Sequence, residues 1–381
     1  MKGKLKDFFE LNPTQNTNRH KDFINYIDTA SVENGVLTNI EFLSCNFPSR
    51  AQRIVKYDDI LYSTVRPNLR HYYHYRKNYD HLVASTGFVL IRNKNAENYS
   101  TRFLFYYLSS NSVVKHLSNI AELSQSTFPS FSPKDLGKID LPKLTIEKQT
   151  KIASILSAYD DLIENNNKRI KILEQMAENL YKEWFVRFRF PGYETAEFEN
   201  GIPKGWGIRR LDEVSKLSAG GDAPKDFSLE QSKEYPIPIY SNGMANDGLY
   251  GYCKKPTRTA KSITISARGT VGFVCLRFQP YMPIVRLVSI EPKNESLDVF
   301  YLYYYFKENS IEGYGTSQQQ ITIPYLSKKK ILVPNINLMG KFGIYIDKLF
   351  ENINALKEKN KNLIKQRDLL LSRLMSGKLE V

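Results

Sequence analysis

Apolar residues follow two different periods along this chain, and the period changes three times. As far as Pro142, and again from about residue 187 to Pro334, short apolar runs alternate with turn residues such as Gly, Pro, Asn and Asp, a pattern typical of strands and turns. After each of these prolines the apolar residues recur with helical spacing. The pattern therefore predicts two strand-rich regions, each followed by a long helix.

The two helical segments are predicted from about 146 to 186 and from about 337 to 376. Neither Pro nor Gly occurs between Pro142 and Pro191. Helices of roughly 35 to 40 residues would be about 50 to 60 Å long, far beyond the average of about 11 or 12 residues. This length favours a coiled-coil arm, and helices of a compact bundle are the alternative.

Both helices carry the 3/4 spacing of a coiled-coil seam. The predicted seam residues are Ile152, Tyr159, Asn166, Leu173 and Leu180 in the first helix, and Phe342, Leu349, Leu356, Asn360, Leu363 and Leu370 in the second. A second apolar set comprises Ile155, Leu162, Met176 and Trp184 in the first helix and Ile346, Ile353 and Leu374 in the second. Two polar positions interrupt this otherwise apolar seam.

Asn166 and Asn360 are these polar positions. If the helices are antiparallel, the two asparagines lie within about one turn of the same level, where polar seam residues can fix the register. We therefore predict that they face each other. A solvated Asn166 is the alternative, because it lies within the polar stretch ENNNK.

The two strand-rich regions repeat one another. The matching stretches, in the same order, are DILYSTVR and SITISAR, GFVLIR and VRLVSI, FLFYYL and YLYYYF, STFPSFSP and SQQQITIP, and IDLP and ILVP. The first pair ends on Arg66 and Arg268, each followed by a turn signal. A repeat at a spacing of about 200 residues is too long for a solenoid and indicates two copies of a whole domain.

Basic residues concentrate at matching places in the two copies. The chain has 54 Lys and Arg against 40 Asp and Glu, a formal charge of +14. Residues 60–96 contain six Lys or Arg and a single acid, and residues 248–290 contain seven and no acid. One such run is ordinarily a solvated face, but two at equivalent places favour a surface that binds nucleic acid.

Arg and Lys neutralise phosphates, while Arg, Asn and Gln on a rigid scaffold can read base edges. The predicted DNA-binding residues are Arg66, Asn68, Arg70, Arg76, Lys77, Ser126 and Thr127 in the first copy, and Lys254, Lys255, Arg258, Arg268, Thr270, Gln318, Gln319 and Gln320 in the second. The three glutamines suit adenine, which pairs with Gln through N7 and N6. A polar loop is the alternative interpretation of the glutamines.

Histidine and cysteine patterns do not predict a metal site. The segment RPNLRHYYHYRKNYDH, residues 66–81, contains three of the five histidines. His71 and His74 would face opposite sides of a strand, and no Cys or paired carboxylate accompanies them. The three cysteines lie far apart and form no CxxC pair, so neither disulfides nor a thiolate cage is expected.

Motifs that carry catalysis are missing from the sequence. It contains no GxxxxGK[ST] phosphate loop, no GxGxxG, no GxSxG and no HExxH. The Asn/Asp-Pro-Pro-aromatic motif of amino-methyltransferases and the PD...ExK pattern of nucleases are also missing. The start of the chain has no apolar signal segment, and no uncharged apolar run approaches about 18 residues. We therefore expect a soluble, cytoplasmic protein without an active site.

Several stretches carry a family resemblance that covers essentially the whole chain. They are YDDILYSTVRPNLR and LVASTGFVLIR in the first copy, KIASILSAYDDLIENNNKRIKILEQMAENLYKEWFVRF in the first helix, IPKGWGIRRLDEV in the second copy and KQRDLLLSRLMSGKLEV at the end. The sequence resembles the DNA specificity subunit of type I restriction-modification systems, most specifically through LYKEWF and LLLSRLMSGKL. SAGGDAPKDF and YPIPIYSNG look like a different domain subtype from the first copy.

This resemblance implies an α+β fold. Two mixed α/β target-recognition domains would lie in a pseudo-twofold arrangement, separated by an antiparallel coiled coil of two long helices. The predicted domains are 1–145, the first target-recognition domain; 146–186, the central spacer helix; 187–336, the second target-recognition domain; and 337–381, the C-terminal spacer helix and tail.

The resemblance also implies a function. Each domain would read one half of a bipartite, asymmetric double-stranded DNA target, and the helices would fix the gap and dock two modification subunits. This chain would hold no cofactor and perform no catalysis. S-adenosylmethionine would belong to the modification subunits that methylate adenine, and ATP and Mg²⁺ to the restriction subunits. We expect a prokaryotic, cytoplasmic complex associated with the nucleoid.

Two other classes are weighed against this one. A self-sufficient methyltransferase-nuclease would need catalytic motifs that the chain lacks. A stand-alone or orphan DNA-binding coiled-coil protein without enzyme partners shares every sequence feature, and co-purification with a methyltransferase distinguishes the two. The target sequence and gap length depend on docked geometry, so they do not follow from the sequence.

Overall fold

The computed structural model describes residues 3–13, 22–124, 128–259, 261–309, 311, 320–375 and 378–379. The chain forms two compact units, Met1–Asn166 with Glu358–Val381, and Asn167–Lys357. The division crosses both long helices, so each unit combines one strand-rich region with a part of each helix. Within the described ranges, none of the helices has the length and apolar character needed to cross a membrane.

Two long helices follow the predicted pattern, and the seven shorter helices among the described residues of the strand-rich regions were not predicted. The helices are α1 Leu5–Phe8, α2 Thr101–Ser109, α3 Asn111–Glu122, α4 Pro133–Gly137, α5 Ile146–Tyr181, α6 Leu211–Val214, α7 Val299–Glu308, α8 Ile323–Ser327 and α9 Ile336–Met375. A π-helical segment, Lys182–Val186, continues α5. The two long helices therefore have the predicted bounds to within one residue.

The strands are short. They are β1 Phe9–Leu11, β2 Ile24–Ile27, β3 Val32–Glu33, β4 Val36–Leu37, β5 Glu41–Leu43, β6 Ala51–Ile54, β7 Ile60–Ser63, β8 Tyr72–His74, β9 Leu82–Ser85, β10 Phe88–Asn93, β11 Phe198–Glu199, β12 Ile202–Pro203, β13 Gly207–Arg210, β14 Ser215–Ala219, β15 Ile237–Tyr240, β16 Leu249–Cys253, β17 Ser262–Ile265, β18 Val274–Arg277, β19 Met282–Pro283, β20 Val288–Pro292 and β21 Lys330–Val333.

The first unit is built on an antiparallel sheet with the strand order β1-β10-β7-β8. Successive residues of a strand point to opposite faces, and both faces of this sheet are covered. Ile60 and Tyr62 contribute to one apolar core with α2, whereas Leu61 contributes to another. A second sheet, β5-β2-β9-β6, contains the parallel pair β2 and β9.

The second unit repeats this arrangement. Its antiparallel sheet has the order β14-β20-β17-β18, with each strand in the chain position of its counterpart in the first unit. A smaller sheet, β16-β15-β19, again contains one parallel pair, β15 and β19. The common strand order confirms the predicted internal repeat.

In the first unit, the first part of α5 pairs with the last part of α9. Asn166 Nδ2 donates to Asn360 Oδ1 at 2.8 Å, and both side chains are buried. One and a half turns earlier in α5, Asp160 accepts from Arg367 at 2.6 Å, later in α9. The helices are therefore antiparallel here, and the predicted pairing of the two asparagines is confirmed.

A partly buried polar network connects α2 to this helix pair. Asp160 accepts from the Tyr106 hydroxyl at 2.5 Å and from Arg367. Burial opposes the charge of Arg367, but its carboxylate partners Asp160 and Asp368 raise its pKa above the ordinary value. Ion pairs that are also hydrogen-bonded can offset the desolvation cost, so this network joins α2 to the helix pair of the first unit.

In the second unit, the remaining parts of the long helices pack through aromatic side chains. The Phe342 ring lies 4.8 Å from Phe185 and 6.0 Å from Trp184, centroid to centroid, and is fully buried. Glu174, earlier in α5, lies 3.5 Å from the Nζ of Lys357, later in α9. These contacts again describe antiparallel helices.

The structure places every predicted seam residue in a buried or half-buried position. Part of the second apolar set was wrong, because Leu162 and Met176 are 47% and 50% exposed. The buried positions are one residue later, at Ile163 and Ala177. Adjacent apolar residues fit either phase, so the pattern alone does not determine which one faces the partner helix.

Candidate nucleic-acid interface

Residues 64–70, the first basic turn, follow β7. Arg66 and Arg70 adopt left-handed backbone conformations, with φ of 47° and 58°, on either side of the 3₁₀ helix Pro67–Leu69. Non-glycine residues rarely adopt this conformation. Pro67 is buried, whereas Arg66 and Asn68 are exposed, so the turn presents these two polar side chains to solvent.

Arg66 contacts the segment STFPSFSP, which the repeat also singled out. Its backbone N–H donates to the carbonyl of Pro129 at 2.9 Å, and its guanidinium lies 5.0 Å from the centre of the Phe128 ring. Stacking on a ring uses the flat face of a guanidinium and leaves its N–H edge for hydrogen bonding. Ser126 and Thr127, the predicted binding residues of this segment, lie outside the described residues.

The other predicted cations of the first copy differ in what they contact. Arg70 donates to the Ser109 carbonyl at 3.2 Å and to Asn111 Oδ1 at 2.6 Å, so it ties the turn to α2 and α3. Arg76 and Lys77 follow β8 and are exposed. Arg66, Arg76 and Lys77 are therefore more accessible to a polyanion than Arg70.

Residues 266–272, the second basic turn, follow β17. Gly269 and Gly272 have positive φ, 70° and 84°, which glycine adopts without strain. The turn closes through a hydrogen bond from the Gly272 N–H to the Ser266 carbonyl, 2.9 Å. Arg268 is exposed at its tip, at the position that Arg66 holds in the first unit.

A cleft of about 920 Å³ lies beside Arg268 and is also lined by Met244, Thr270, Phe273 and Gln320. The Ile321 N–H donates to the Ala267 carbonyl at 3.0 Å, which brings Gln320 to the basic turn. Gln318 and Gln319 lie outside the described residues. Within the part of the chain that the structure describes, the buried Thr270 hydroxyl has no hydrogen-bond partner.

Two predicted cations of the second copy are engaged within the protein. Lys254 Nζ lies 2.9 Å from both Asp226 and Glu234, and hydrogen bonds to these carboxylates raise its pKa. Arg258 donates to Ser218 Oγ at 3.0 Å and lies 3.7 Å from Glu291. Lys255 is exposed. Lys255 and Arg268 are thus more available than Lys254 and Arg258.

Two of the histidines, His74 and His81, have structural partners. His74 is buried and lies 2.7 Å from Asp58. Burial acts to raise the pKa of Asp58, but hydrogen bonds with His74 and Thr101 lower it below the ordinary value. The His81 ring packs edge-on against Phe23. Among the described residues, no group of three or more His, Cys, Asp or Glu side chains is arranged to hold a metal ion.

In each unit an exposed arginine follows the same central strand, and the turn that carries it is hydrogen-bonded to the corresponding later segment of the repeat, through Phe131 to Thr64 in one unit and Ile321 to Ala267 in the other. Such an arrangement can neutralise phosphates and donate hydrogen bonds to base edges. Sequence reasoning missed Phe128, which is 55% exposed beside Arg66. Its only sequence signal is an aromatic residue within a Ser- and Pro-rich stretch.

Comparison with known proteins places these features in a family. The model of the type I restriction modification DNA specificity domain matches residues 1–175 and 203–366. The type I restriction enzyme HindI specificity subunit of Haemophilus influenzae is 27% identical, over 96% of this chain and 97% of its own. The MjaIX specificity subunit of Methanocaldococcus jannaschii is 29% identical, over 74% of this chain and 69% of its own.

A solved structure shares the fold. The S subunit of a type-I restriction-modification system from M. genitalium covers 98% of this chain and 95% of its own with a TM-score of 0.60, at 17% identity. At this identity the likeness concerns the fold alone. Because the family model matches both copies of the repeat and most of the sequence, this chain belongs to the type I restriction modification DNA specificity family.

Proposed function

We propose that this chain, as a type I specificity subunit, reads a bipartite, asymmetric DNA target with one half-site for each unit. The observation that carries the proposal is the pair of matched basic turns, which present Arg66 and Arg268 after the central strands β7 and β17 of sheets with the same strand order. The scaffold is repeated, but the residues that follow the arginines differ, PNLR in one turn and GTVG in the other. Different side chains on one scaffold favour different half-sites.

The long helices are proposed to set the gap and to dock two modification subunits. Exposed apolar side chains lie on both helices outside the seam, including Ile172 and Met176 on α5 and Ile344 and Leu369 on α9. Such side chains are typical of protein–protein contacts when they lie near one another. We place S-adenosylmethionine in the modification subunits, and ATP and Mg²⁺ in restriction subunits, of a complex that acts on DNA in the prokaryotic cytoplasm.

Arg66→Ala and Arg268→Ala test the proposed function. We expect each to weaken target binding by about 1 to 3 kcal/mol if the arginine pairs with a base, or to lower the salt dependence by about one unit if it contacts a phosphate. The target is first found by mapping methylated adenines in cells with and without the gene. Binding of the assembled complex is then measured by fluorescence anisotropy over a salt series.

The two variants serve as controls for each other. Changes of base pairs in one half-site should lose their effect in Arg66→Ala, and changes in the other half-site should lose theirs in Arg268→Ala, if the arginines read bases. Affinity and salt dependence that are unchanged in both variants would contradict the proposal.

Lengthening both helices tests their role as a spacer. Seven residues that continue the seam are inserted into α5 after Asn166 and into α9 before Glu358, where the division between the units crosses the helices. Seven residues add about 10 Å of helix, or about three base pairs at 3.4 Å each. We expect the methylated DNA targets to keep both half-sites and to have a longer gap between them. An unaltered gap would rule out the spacer role.

A further inference from the structure

Few cations of the second basic region, 248–290, are available to a ligand. Arg277 is buried, where its guanidinium lies 3.6 Å from the Tyr240 ring and donates to Thr264, and Lys261 pairs with Asp347. Lys254 and Arg258 are engaged as described above. Within the described residues, the remaining three, Lys255, Arg268 and Arg286, are exposed and make no side-chain hydrogen bond or ion pair. Arg286 was not among the predicted binding residues.

Arg286 lies in a turn of unusual backbone conformation. The Leu287 N–H donates to the Ile284 carbonyl at 3.0 Å, and both central residues, Val285 and Arg286, have positive φ, 52° and 63°. Positive φ at both central residues is characteristic of a type I′ turn, which favours Asn and Gly. A β-branched residue with positive φ is a strained outlier, and such strain persists where the surrounding structure enforces it.

The double glycine of SAGGD enforces this turn. The Val285 N–H donates to the Gly221 carbonyl at 2.8 Å, and the Arg286 N–H donates to the Gly220 carbonyl at 3.2 Å. A Cβ at Gly220 would lie 2.6 Å from the backbone of Pro283, so only glycine allows this close approach. The stretch that marked the second copy as a different subtype thus holds the Arg286 turn.

Asn242, from YPIPIYSNG, joins this turn to the second basic turn. Its Oδ1 accepts from the Ala267 N–H at 2.8 Å, and its Nδ2 donates to the Val285 carbonyl at 2.6 Å. Ala267 directly precedes Arg268, and Val285 directly precedes Arg286. The Asn242 side chain therefore hydrogen-bonds to two backbone segments. In each segment the residue that follows the bonded one is an exposed arginine, Arg268 in one and Arg286 in the other.

We propose that Arg286 acts with Arg268 as one two-pronged contact to the DNA half-site of the second unit, and that Asn242 is the positioning residue that sets the spacing of the two arginines. This inference rests on the proposed function. Paired donors on a rigid scaffold can read two neighbouring groups on DNA, whether base edges or phosphates. The Val285–Arg286 strain is then the consequence of directing Arg286 to the same ligand as Arg268.

The test measures binding of the assembled complex to its mapped target and to targets altered in either half-site. The variants are Arg286→Ala, Arg268→Ala, their double variant, Asn242→Ala alone and Asn242→Ala added to the double variant. Arg209→Ala is the matched control, because Arg209 is an exposed arginine of the same unit in β13, which pairs with β21 in another sheet. Thermal unfolding of each variant verifies that the second unit is folded.

We expect Arg286→Ala to weaken binding about tenfold or more, as Arg268→Ala does, while Arg209→Ala binds like the unaltered chain. Asn242→Ala should weaken binding and reduce discrimination in the second half-site only. It should have no further effect in the double variant, because a positioning residue acts only through the arginines. If Asn242→Ala does not fold, Arg286→Ala still tests the two-pronged contact, because Arg286 lies at the surface.

Three failures are distinguishable. If Arg268→Ala weakens binding and Arg286→Ala behaves like Arg209→Ala, the two-pronged contact is wrong and the proposed function stands. If Asn242→Ala weakens the double variant as strongly as the unaltered chain, the positioning role is wrong. If neither Arg66→Ala nor Arg268→Ala affects binding, the proposed function itself fails.

Discussion

Replacing residues 1–145 with the corresponding region of another specificity subunit is expected to change one half of the DNA target and leave the other unaltered. The first basic turn and its two sheets lie entirely within this region. Each mismatched base pair costs about 1 to 3 kcal/mol. A new half-site with several mismatches should therefore reduce binding to the original target to the non-specific level. Mapping of methylated adenines in cells that carry the chimera gives the new target directly.

The core of the first unit continues beyond residue 145, so a junction at this residue divides the core. Ile152 and Leu156 of α5 are buried against this unit, and Leu371 of α9 contributes to the same core. Gln149 is fully buried and accepts from the Ser100 N–H at 3.0 Å. A graft that ends at 145 places these side chains against a foreign surface.

A second chimera is the matched control for this effect. It transfers residues 1–166 together with 358–381, the whole compact unit, and so keeps the core intact. If only the second chimera is active, the recognition region and helix ends act as one module. A change of both half-sites in either chimera would contradict the assignment of one half-site to each unit.

Phe342→Ala is expected to destabilise the second unit by about 3 to 5 kcal/mol. Phe342 is fully buried and packs against Phe185 and Trp184, at the junction of both long helices with the second recognition region. Alanine leaves a cavity that aromatic neighbours fill only in part. The loss should appear as a lower midpoint of urea unfolding at an unchanged dependence on urea.

Tryptophan fluorescence follows this transition selectively. The chain has two tryptophans, Trp184 and Trp206, and both belong to the core of the second unit. Ile344→Ala is the control, because Ile344 lies on the same helix but is 60% exposed, and surface substitutions usually change stability by less than about 0.5 kcal/mol. Equal midpoints for the two variants would show that the Phe342 contacts contribute little.

The sequence predicts the two long helices and the repeat. Helical spacing predicts α5, which contains neither Pro nor Gly, and α9 almost to the residue, because such long periodic segments have few alternative structures. The repeat of short motifs predicts two copies of a whole domain. The family resemblance implies antiparallel helices, and in that arrangement the positions of Asn166 and Asn360 predict that the two amides face each other.

Charge patterns predict which regions of the surface are basic but not which cations are accessible. Arg70, Lys254 and Arg258 were predicted to bind DNA, and the structure shows each of them bonded within its own unit. Their partners are tens of residues away in sequence in most cases. Whether an arginine is accessible or already paired therefore depends on contacts that no local pattern contains.

What the sequence by itself determined is the bounds of the two long helices and the repetition of the strand-rich region, because each depends on local spacing and on the burial of apolar side chains. Only the tertiary structure decided which apolar phase faces inward at Ile163, and which arginines are presented outward. It alone joins Asn242 to Ala267 and Val285. The physical reason is that hydrogen bonds between distant segments form only when the folded sheets place their turns side by side.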